Sequence, residues 1–457
     1  LNACWPSDSP TGGWLPLDYH LRHDEKGRLI AVTADGVHRG YHELPWAGSA
    51  RPRPNAIKEF AKNKRLCLKL DQKGVLDDYT AIIEDMVRDN YLYKVSVQEL
   101  VNRKAHCIFH FPIFKPNSRS SKIRPVWDGR ELNACLRSLP IPDKHKHTIR
   151  HLFRTRLYPS FFCTDIQKAF LQLILSGQDR PHCCFVHNSY GYVMRRVWFG
   201  GSSAPWALQD EIDHTLLDVN SQYPTDEAEV EAYMDDVIGG AQTNEGRDEL
   251  HSTSSAALKV KGMQENPVKV LKNGQDGRVL GYDYEGSNDT IAVASSSSLS
   301  TTPCPTTRRE LRSFVARFHD PMGLQCEALM CIKYVLQDAE SSCRNENDLL
   351  KEYDETSSDT KPLTYRVHEW QCHLRSSAPF PRQVKWDFSG QTIFVSTDAC
   401  VRGWAVIVET DTCGTRLFGR CGVFGPTERR SSKWTAPRAE LCALFQGFVT
   451  VKTLIKQ

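Results

Sequence analysis

Apolar and polar residues follow two patterns along this chain, one typical of amphipathic helices and one typical of short strands. Apolar positions at helical spacing predict helices over residues 55–70, from 77 onward, over 311–318 and over 437–456. Short apolar or alternating runs predict strands at 107–114, 122–128, 158–166, 230–234, 237–240, 393–398, 403–408 and 417–423. The turn-forming segment Pro116-Asn117-Ser118 joins the first two strands into a predicted hairpin.

Three stretches lack this periodicity. Residues 1–54 are rich in Gly, Pro and Trp, and we expect an irregular lead-in there. Residues 290–307 are rich in Ser and Thr and end in two prolines, which predicts an exposed connection. Residues 338–359 are acidic and polar and predict a solvated insertion.

The composition is that of a globular protein with more than one domain. The chain has 457 residues, of which 40% are hydrophobic and 25% charged, enough to form several cores. Sixteen cysteines at irregular spacing, with no CxxC pair, indicate reduced thiols in an intracellular protein. No apolar stretch is long enough to cross a membrane, so we expect no membrane partner. The chain begins at Leu1, which fits a piece cut from a longer reading frame.

The charge balance does not by itself identify a partner. With 58 Lys and Arg against 55 Asp and Glu, the net charge is only +3, and any basic surface must be local. Residues 144–156 combine Lys, Arg and His. This segment either lies along a phosphate backbone or forms a solvated helix.

Three carboxylates stand where strands end. Asp165 closes one predicted strand, and Asp235 and Asp236 lie at the connection between two others. Carboxylates are the ligands that Mg²⁺ prefers, and two such ions can activate a 3′-hydroxyl and stabilise a pyrophosphate leaving group. Two acids at a hairpin turn are also ordinary turn chemistry. The apolar strands on both sides favour a turn at the junction of a sheet edge and a cleft.

Six segments carry recognisable motifs in a fixed order: residues 111–128, 164–172, 199–205, 233–236 (Tyr233-Met234-Asp235-Asp236), 279–282 and 318–324. They resemble, in that order, the fingers hairpin, the first metal-binding block, the template and nucleotide block, the Y-x-D-D turn, the primer grip and the connection of the reverse transcriptases of LTR retrotransposons, most closely the BEL/Pao branch. The likeness extends over nearly the whole chain.

The resemblance implies an α+β multidomain fold, a right-hand polymerase with fingers, palm and thumb, followed by a connection and a truncated ribonuclease H-like α/β domain. The domains implied are 1–54, the irregular lead-in; 55–290, the fingers and palm; 291–388, the thumb and connection; and 389–457, the partial ribonuclease H-like domain. The implied activity is RNA-directed DNA polymerisation.

The resemblance also assigns the catalytic metals. Asp165, Asp235 and the backbone carbonyl of Ile166 would hold two Mg²⁺ ions, with Mn²⁺ as the alternative, and Asp236 would be a closer or outer ligand.

Other residues would contact the nucleotide and the primer. Lys122 and Arg124 would bind the triphosphate, because an ammonium and a planar guanidinium both pair with phosphate oxygens. Phe170 would stack under the sugar and exclude a 2′-hydroxyl, and Phe199 and Gly200 would lie against the nucleotide. For Lys122 and Arg124 the alternative is an exposed basic hairpin, and for Phe170 it is an ordinary core aromatic.

The primer grip would centre on Leu280 and Gly281. Either Lys269 or Lys272 would protonate the leaving pyrophosphate, and the sequence does not choose between them.

A second active site is implied at the end of the chain. Asp398 and Glu440 resemble the first two metal-binding acids of a ribonuclease H domain, with a helix N-terminal acid as the alternative for Glu440. The apolar residues after Glu440 are expected to bury one helix face against the sheet; they are Leu441, Leu444, Phe445 and Phe448. The third Asp of the family belongs to a later strand, so we expect no hydrolysis from these residues alone.

The resemblance implies RNA or DNA template with primer, deoxynucleoside triphosphates and other products of the element's polyprotein as partners. The expected location is intracellular, in a cytoplasmic virus-like particle. A viral RNA-dependent RNA polymerase shares the paired acids but typically has Gly before them and lacks the nuclease. A decayed or co-opted element that binds nucleic acid without copying it is the other alternative.

Overall fold

The structure is a computed structural model in which the chain divides into two compact units. It describes residues 18–115, 122–139, 151–153, 155–224, 226–350, 362–384, 392–410, 415–425 and 435–455. Unit 1 comprises residues 1–142, 165–223 and 251–267, and unit 2 comprises residues 143–164, 224–250 and 268–457.

Unit 1 contains three small, mainly antiparallel sheets and several helices among its described residues. Its strands are β1 (Tyr19–His23), β2 (Leu29–Thr33), β3 (His38–His42), β4 (Leu92–Ser96), β5 (Phe109–Phe114), β6 (Ile123–Asp128), β8 (Ile174–Leu175), β9 (Cys184–His187) and β10 (Tyr190–Met194). Its helices are α1 (Ala56–Asp71), α2 (Leu76–Arg88), α3 (Val97–Asn102), α4 (Arg130–Asn133) and α5 (Ala204–Asn220). The sheets have the strand orders β1-β2-β3-β8, β4-β10-β9 and β5-β6.

The prediction of an irregular lead-in is wrong for residues 19–42. Strands β1, β2 and β3 form an antiparallel meander, and β3 pairs in parallel with β8. Ile30, Ala31 and Val32 are buried, so the middle strand contributes to a core. The signal was weak because each strand is only five residues long, too short to establish a clear period.

The predicted helices and hairpin of unit 1 are confirmed. Helix α2 buries Tyr79, Ile83 and Met86 at helical spacing against the same core as Phe185 of β9. Strands β5 and β6 pair from Phe109–Asp128 to Phe114–Ile123. The predicted turn residues between them lie outside the described residues.

Unit 2 contains three further sheets and most of the remaining helices. Its strands are β7 (Ser160–Asp165), β11 (Ala228–Tyr233), β12 (Asp236–Ala241), β13 (Leu271–Lys272), β14 (Gly277–Val279), β15 (Tyr282–Glu285), β16 (Thr290–Val293), β17 (Phe380–Pro381), β18 (Ile393–Cys400), β19 (Gly403–Thr410) and β20 (Arg416–Val423). The helices are α7 (Ala294–Thr301), α8 (Arg308–Ala316), α9 (Cys326–Ser342), α10 (Leu363–Ser376) and α11 (Ala436–Ile455), and α6 (Asn244–Val260) is divided between the units. The sheets have the orders β11-β12-β7-β13, β14-β15-β16-β17 and β18-β19-β20.

The exposed connection predicted at 290–307 is also wrong for most of its length. Residues 290–293 form β16, and α7 follows at once. Ser296, Leu299 and Ser300 of this helix are buried. The Ser-rich composition predicted exposure, but serine can be buried where its hydroxyl is hydrogen-bonded. Ser296 Oγ, for example, donates to Gln325 Oε1 over 2.6 Å.

The C-terminal sheet and helix were predicted correctly as elements, but the buried face of the helix was not. Helix α11 turns small residues toward the sheet: Ala439 and Ala443 are buried, and a Cβ on Gly447 would lie 2.8 Å from Thr397 of β18. The large apolar residues predicted to be buried are exposed instead; Leu441, Leu444, Phe445 and Phe448 are 47–69% exposed. Close helix–sheet contact through small residues explains the reversal.

One close backbone contact in unit 2 requires glycine at position 323, and replacing this glycine should lower the stability of the fold. Gly323 has φ +65°, and a Cβ there would lie 2.0 Å from the carbonyl oxygen of Gly419 on β20. We expect Gly323→Ala to lower the free energy of unfolding by about 3 kcal/mol, from left-handed strain and from overpacking. Urea unfolding followed by fluorescence measures the change.

Gly274 is the matched control, because its φ is +81° and a Cβ there meets nothing within 4 Å. Gly274→Ala carries only the conformational cost, about 1–2 kcal/mol. Equal losses in the two variants would show that the contact with Gly419 does not constrain residue 323.

Candidate active site

The paired aspartates lie on a tight hairpin turn in unit 2. Strands β11 and β12 pair from Ala228–Ala241 to Tyr233–Asp236, which leaves Met234 and Asp235 as the two turn residues. Met234 has φ +55°, a left-handed conformation that usually takes Gly at this position of a hairpin. Asp235 is exposed and Asp236 is half-buried. A strained residue held at a turn is typical of functional sites.

Strand β7, which ends at Asp165, is the neighbour of β12 in the same sheet. A Cβ on Gly239 would lie 2.2 Å from the Phe162 ring, so glycine is needed for this contact between β12 and β7. Phe162 is fully buried, whereas Asp165 is half-buried. As the sequence predicted, the strand that ends at Asp165 lies beside the hairpin of Asp235 and Asp236 in one sheet.

The backbone around Asp165 is fixed by a segment that the sequence did not single out. The carbonyl of Asp165 accepts a hydrogen bond of 2.9 Å from the amide of Asn266, and Gln167 donates to the carbonyl of Gln264 over 2.8 Å. Ile166 is buried and forms an isolated bridge with Glu265. These bonds set the backbone path at the predicted carbonyl ligand.

The predicted metal ligands have the right donor chemistry but do not form a ready-made site. Hard carboxylate and carbonyl oxygens suit Mg²⁺. Among the residues that the structure describes, no group of three or more His, Cys, Asp or Glu side chains is arranged to hold a metal ion.

Two of the predicted nucleotide contacts touch each other in unit 1. The rings of Phe170 and Phe199 meet edge to face, with their centroids 4.8 Å apart. Phe199 is 44% exposed and Phe170 is half-buried. The pair therefore presents a partly open aromatic surface, which is suited to a sugar or a base.

Gly200 is held by a residue that the sequence reading missed. The Asn133 side chain donates to the Gly200 carbonyl over 2.9 Å and accepts from the amide of Ser202 over 2.9 Å. Gly200 has φ +114°, and a Cβ there would lie 2.5 Å from the carbonyl oxygen of Trp127. The sequence gives no reason to single out an isolated Asn at the end of a short helix. Only the fold shows that its side-chain amide and carbonyl bond to two residues of the same loop.

Lys122 and Arg124 are exposed on the β6 side of the fingers hairpin. The backbone carbonyl of Lys122 accepts from Lys115 over 2.7 Å, and Arg124 lies opposite Ile113. Neither basic side chain is buried, so both are accessible to an anionic ligand.

The predicted primer grip is a second tight turn in unit 2. Val279 pairs with Tyr282, and the two turn residues Leu280 and Gly281 have φ +41° and +100°. Two left-handed residues in succession match the hairpin turn that fits strand twist.

Of the two candidate lysines, Lys272 is held by an acid. Its Nζ lies 2.8 Å from Asp248 Oδ1 on α6, and this bond lowers the pKa of Asp248. Lys269 follows directly after Pro267 and Val268 in a short 3₁₀ turn. Both lysines therefore remain candidates for the proton donor to the leaving pyrophosphate.

The two predicted nuclease acids are both exposed. Asp398 lies on β18 opposite Ala405, and Glu440 lies in the first turns of α11. Within the described residues, neither acid belongs to a group of three or more His, Cys, Asp or Glu side chains that could hold a metal ion.

Two family models match consecutive parts of the chain. Residues 113–284 match "Reverse transcriptase (RNA-dependent DNA polymerase)", and residues 307–457 match "Pao retrotransposon-like RNaseH-like domain". The chain is the reverse transcriptase and ribonuclease H-like region of a Pao-type retrotransposon. The predicted family and the predicted fold class are thereby confirmed.

A retroviral polyprotein is similar in sequence to part of this Pao-type region. It is 26% identical over 178 residues to the Gag-Pro-Pol polyprotein of Human T-cell leukemia virus 2, a match that covers 37% of this chain and 12% of that polyprotein. The chain thus spans only a small part of that relative's length.

Solved structures of the foamy viral protease-reverse transcriptase share the fold. The complex of its dRH form with double-stranded DNA gives a TM-score of 0.63 at 15% identity and covers 91% of this chain and 65% of that one. A second complex with double-stranded DNA gives a TM-score of 0.61 at 16% identity, over 92% of this chain and 79% of that one. In the Pao-type region, no helix among the described residues is long and apolar enough to cross a membrane.

Proposed function

We propose that this region is an RNA-directed DNA polymerase that adds deoxynucleotides to a primer. One observation carries the proposal: the hairpin turn with Asp235 and Asp236 belongs to the same sheet as the strand that ends at Asp165. This is the layout that two-metal nucleotidyl transfer needs, with acids on neighbouring strands. The family match to reverse transcriptases supports the same reaction.

Asp165, Asp235 and the backbone carbonyl of Ile166 would hold two Mg²⁺ ions, or Mn²⁺, with Asp236 as a closer or outer ligand. Bound metal would lower the pKa of the primer 3′-hydroxyl and neutralise charge on the triphosphate. The backbone hydrogen bonds from Asn266 to Asp165 and from Gln167 to Gln264 would orient this carbonyl before a metal binds.

The nucleotide would be bound by residues of the fingers and the aromatic pair. Lys122 and Arg124 would pair with the triphosphate oxygens. Phe170, supported edge-on by Phe199, would lie under the sugar, while Asn133 keeps Gly200 in the conformation that lets the backbone approach the nucleotide. Leu280 and Gly281 would contact the primer. Lys269 or Lys272 would protonate the leaving pyrophosphate.

The partners proposed are an RNA or DNA template with its primer, deoxynucleoside triphosphates and other products of the same polyprotein, within a cytoplasmic virus-like particle. The foamy viral structures with DNA and with an RNA/DNA hybrid support nucleic acid as a partner of this fold. The domain limits at residues 54, 290 and 388 remain predictions, as do the roles of Asp398 and Glu440 as metal ligands in the ribonuclease H-like part.

We expect Phe170→Ala to relax the selection against ribonucleotides. Removing the ring opens the space where a 2′-hydroxyl would otherwise clash, so the ratio of kcat/KM for a deoxynucleotide to that for the matching ribonucleotide should fall about tenfold or more. Single-nucleotide incorporation measures both values. Phe394→Ala on β18 is the control, because that exposed ring belongs to the C-terminal sheet. An unchanged ratio in Phe170→Ala would contradict the sugar-contact role.

The proposed function is tested by primer extension on an RNA template with deoxynucleotides and Mg²⁺. Extension that stops when the metal is chelated supports the proposal. Tight, salt-dependent binding of the primer–template without any extension would instead favour the second candidate, a co-opted element that binds nucleic acid without copying it.

A further inference from the structure

The turn at the predicted primer grip is not a conformation that its own residues favour. Leu280 has φ +41°, a left-handed conformation that is strained for a residue other than glycine. Such a conformation persists only where surrounding structure over-determines it. The contacts around the segment Val279–Tyr282, here called the grip turn, therefore decide its geometry.

Asp320, 38 residues further along the chain, bonds the residue that ends the grip turn. The Tyr282 hydroxyl donates to Asp320 Oδ1 over 2.5 Å and accepts from the amide of Met322 over 2.9 Å. Asp320 also accepts from the amides of Leu324 and Gln325, over 3.0 and 2.7 Å. Burial raises the pKa of Asp320, and these hydrogen bonds oppose that rise. The carboxylate thus joins the grip turn to the segment Asp320–Gln325, here called the brace loop.

A second line of contacts joins the same two segments through the start of α7. The amide of Ala294 donates to the Gly281 carbonyl over 3.0 Å, so the helix holds the turn directly. The next residue, Ser295, accepts at Oγ from the amide of His319 over 3.0 Å. A Cβ on Gly281 would lie 2.7 Å from the His319 ring, which leaves no room between the turn and the residue before Asp320.

The brace loop is itself fixed to a strand of the C-terminal sheet. The amide of Gly419 on β20 donates to the Met322 carbonyl over 2.8 Å, and Arg416 donates to the Leu324 carbonyl over 3.1 Å. The brace loop is therefore bonded both to Tyr282 and to strand β20. Through these bonds, strand β20 helps to fix the position of the grip turn.

We infer that Asp320 is a positioning residue for the primer, because it fixes the grip turn through Tyr282 in the conformation that holds the primer end. The inference rests on the proposed polymerase function. It assigns to the brace loop a role in primer placement, separate from binding of the incoming nucleotide.

The test is steady-state primer extension by Tyr282→Phe and Asp320→Asn in the full chain. Tyr282→Phe keeps the ring and removes the bond to Asp320, and Asp320→Asn puts an N–H donor where the carboxylate accepts. In both variants we expect KM for the primer–template to rise about tenfold while KM for the deoxynucleotide stays unchanged. Fluorescence anisotropy with labelled primer–template and no nucleotide should show the same loss of affinity.

Tyr284→Phe is the matched control. Tyr284 lies two residues along the same strand, and its hydroxyl also donates to a carboxylate, that of Asp289, over 3.0 Å. Its loss should lower stability to a similar degree without changing KM for the primer–template. A general folding defect would affect both tyrosine variants alike, and such a result overturns the inference.

The outcomes separate the inference from the function on which it rests. If the unaltered chain extends primers and Tyr282→Phe has the same KM for the primer–template as the unaltered chain, the inference fails and the polymerase assignment stands. If the unaltered chain extends no primer under any condition, the proposed function fails and the inference fails with it. Should Asp320→Asn not fold, Tyr282→Phe and its control decide the matter.

Discussion

Asp235→Asn should abolish primer extension while leaving the protein folded. Asparagine has the size of aspartate but no negative charge, so it cannot neutralise a divalent metal. Metal-assisted charge stabilisation contributes several kcal/mol to such transition states, so we expect a loss of at least about 100-fold in kcat. Because Asp235 is exposed at the tip of a hairpin, its replacement removes no packing. The measurement is single-turnover extension at saturating primer–template and deoxynucleotide.

Asp226→Asn is the control for the loss of one negative charge elsewhere on the hairpin. Asp226 is exposed and lies just before β11, at the opposite end of the two strands from the turn. We expect its variant to extend primers at the rate of the unaltered chain. Extension by Asp235→Asn at that same rate would refute the assignment of the Tyr233–Asp236 turn as the metal-binding centre.

Arg156→Met should lower the stability of unit 2 more than any other single change considered for this protein. Arg156 is fully buried, and its guanidinium donates to the carbonyls of Pro381, Arg382 and Leu417 over 3.0–3.1 Å. Burial lowers its pKa to about 10, so it stays charged at neutral pH. Methionine fills part of the space but makes none of these three hydrogen bonds. We expect a loss of about 3–5 kcal/mol in the free energy of unfolding.

Arg312→Met provides the comparison. Arg312 is 42% exposed on its side chain and pairs with Glu340 and Glu346 at the surface. Exposed pairs of this kind contribute about 1 kcal/mol or less. Urea unfolding of both variants measures the difference, and similar midpoints would show that the bonds of Arg156 stabilise the fold no more than a surface ion pair does.

Arg156 also corrects one sequence interpretation. The basic segment 144–156 was expected either to follow a phosphate backbone or to form a solvated helix. Arg156 does neither, because it is buried and bonded to backbone carbonyls. Residues 144–150 and Arg154 lie outside the described residues. A sequence shows that a residue is charged, but a buried arginine is distinguished only by acceptors that come from distant strands.

Local patterns were sufficient for most elements. The hairpins β5–β6 and β11–β12, strand β7 and the three C-terminal strands all follow short apolar runs bounded by turn residues. Helices α2 and α8 follow apolar stripes, and a capping box at Thr307 and Glu310 marks the start of α8. These features depend on neighbours within a few residues, so they can be read without the fold.

Features that depend on distant partners were missed or reversed. Strands β1–β3 need β8, more than 130 residues later, as Tyr41 pairs with Ile174. Helix α11 has a stronger apolar pattern on the face that remains exposed than on the small-residue face that packs. Periodicity identifies a helix, but shape complementarity selects which face is buried.

The sequence by itself was enough to identify the family and the order of the strands that carry Asp165, Asp235 and Asp236, the three proposed metal-binding acids, because these are local motifs in a fixed order. Tertiary structure alone decided that Asn133 fixes Gly200 and that Asp320 bonds Tyr282. Each of these depends on a hydrogen bond or a packing constraint between segments far apart in the chain, and no local pattern of residues encodes which segments will meet.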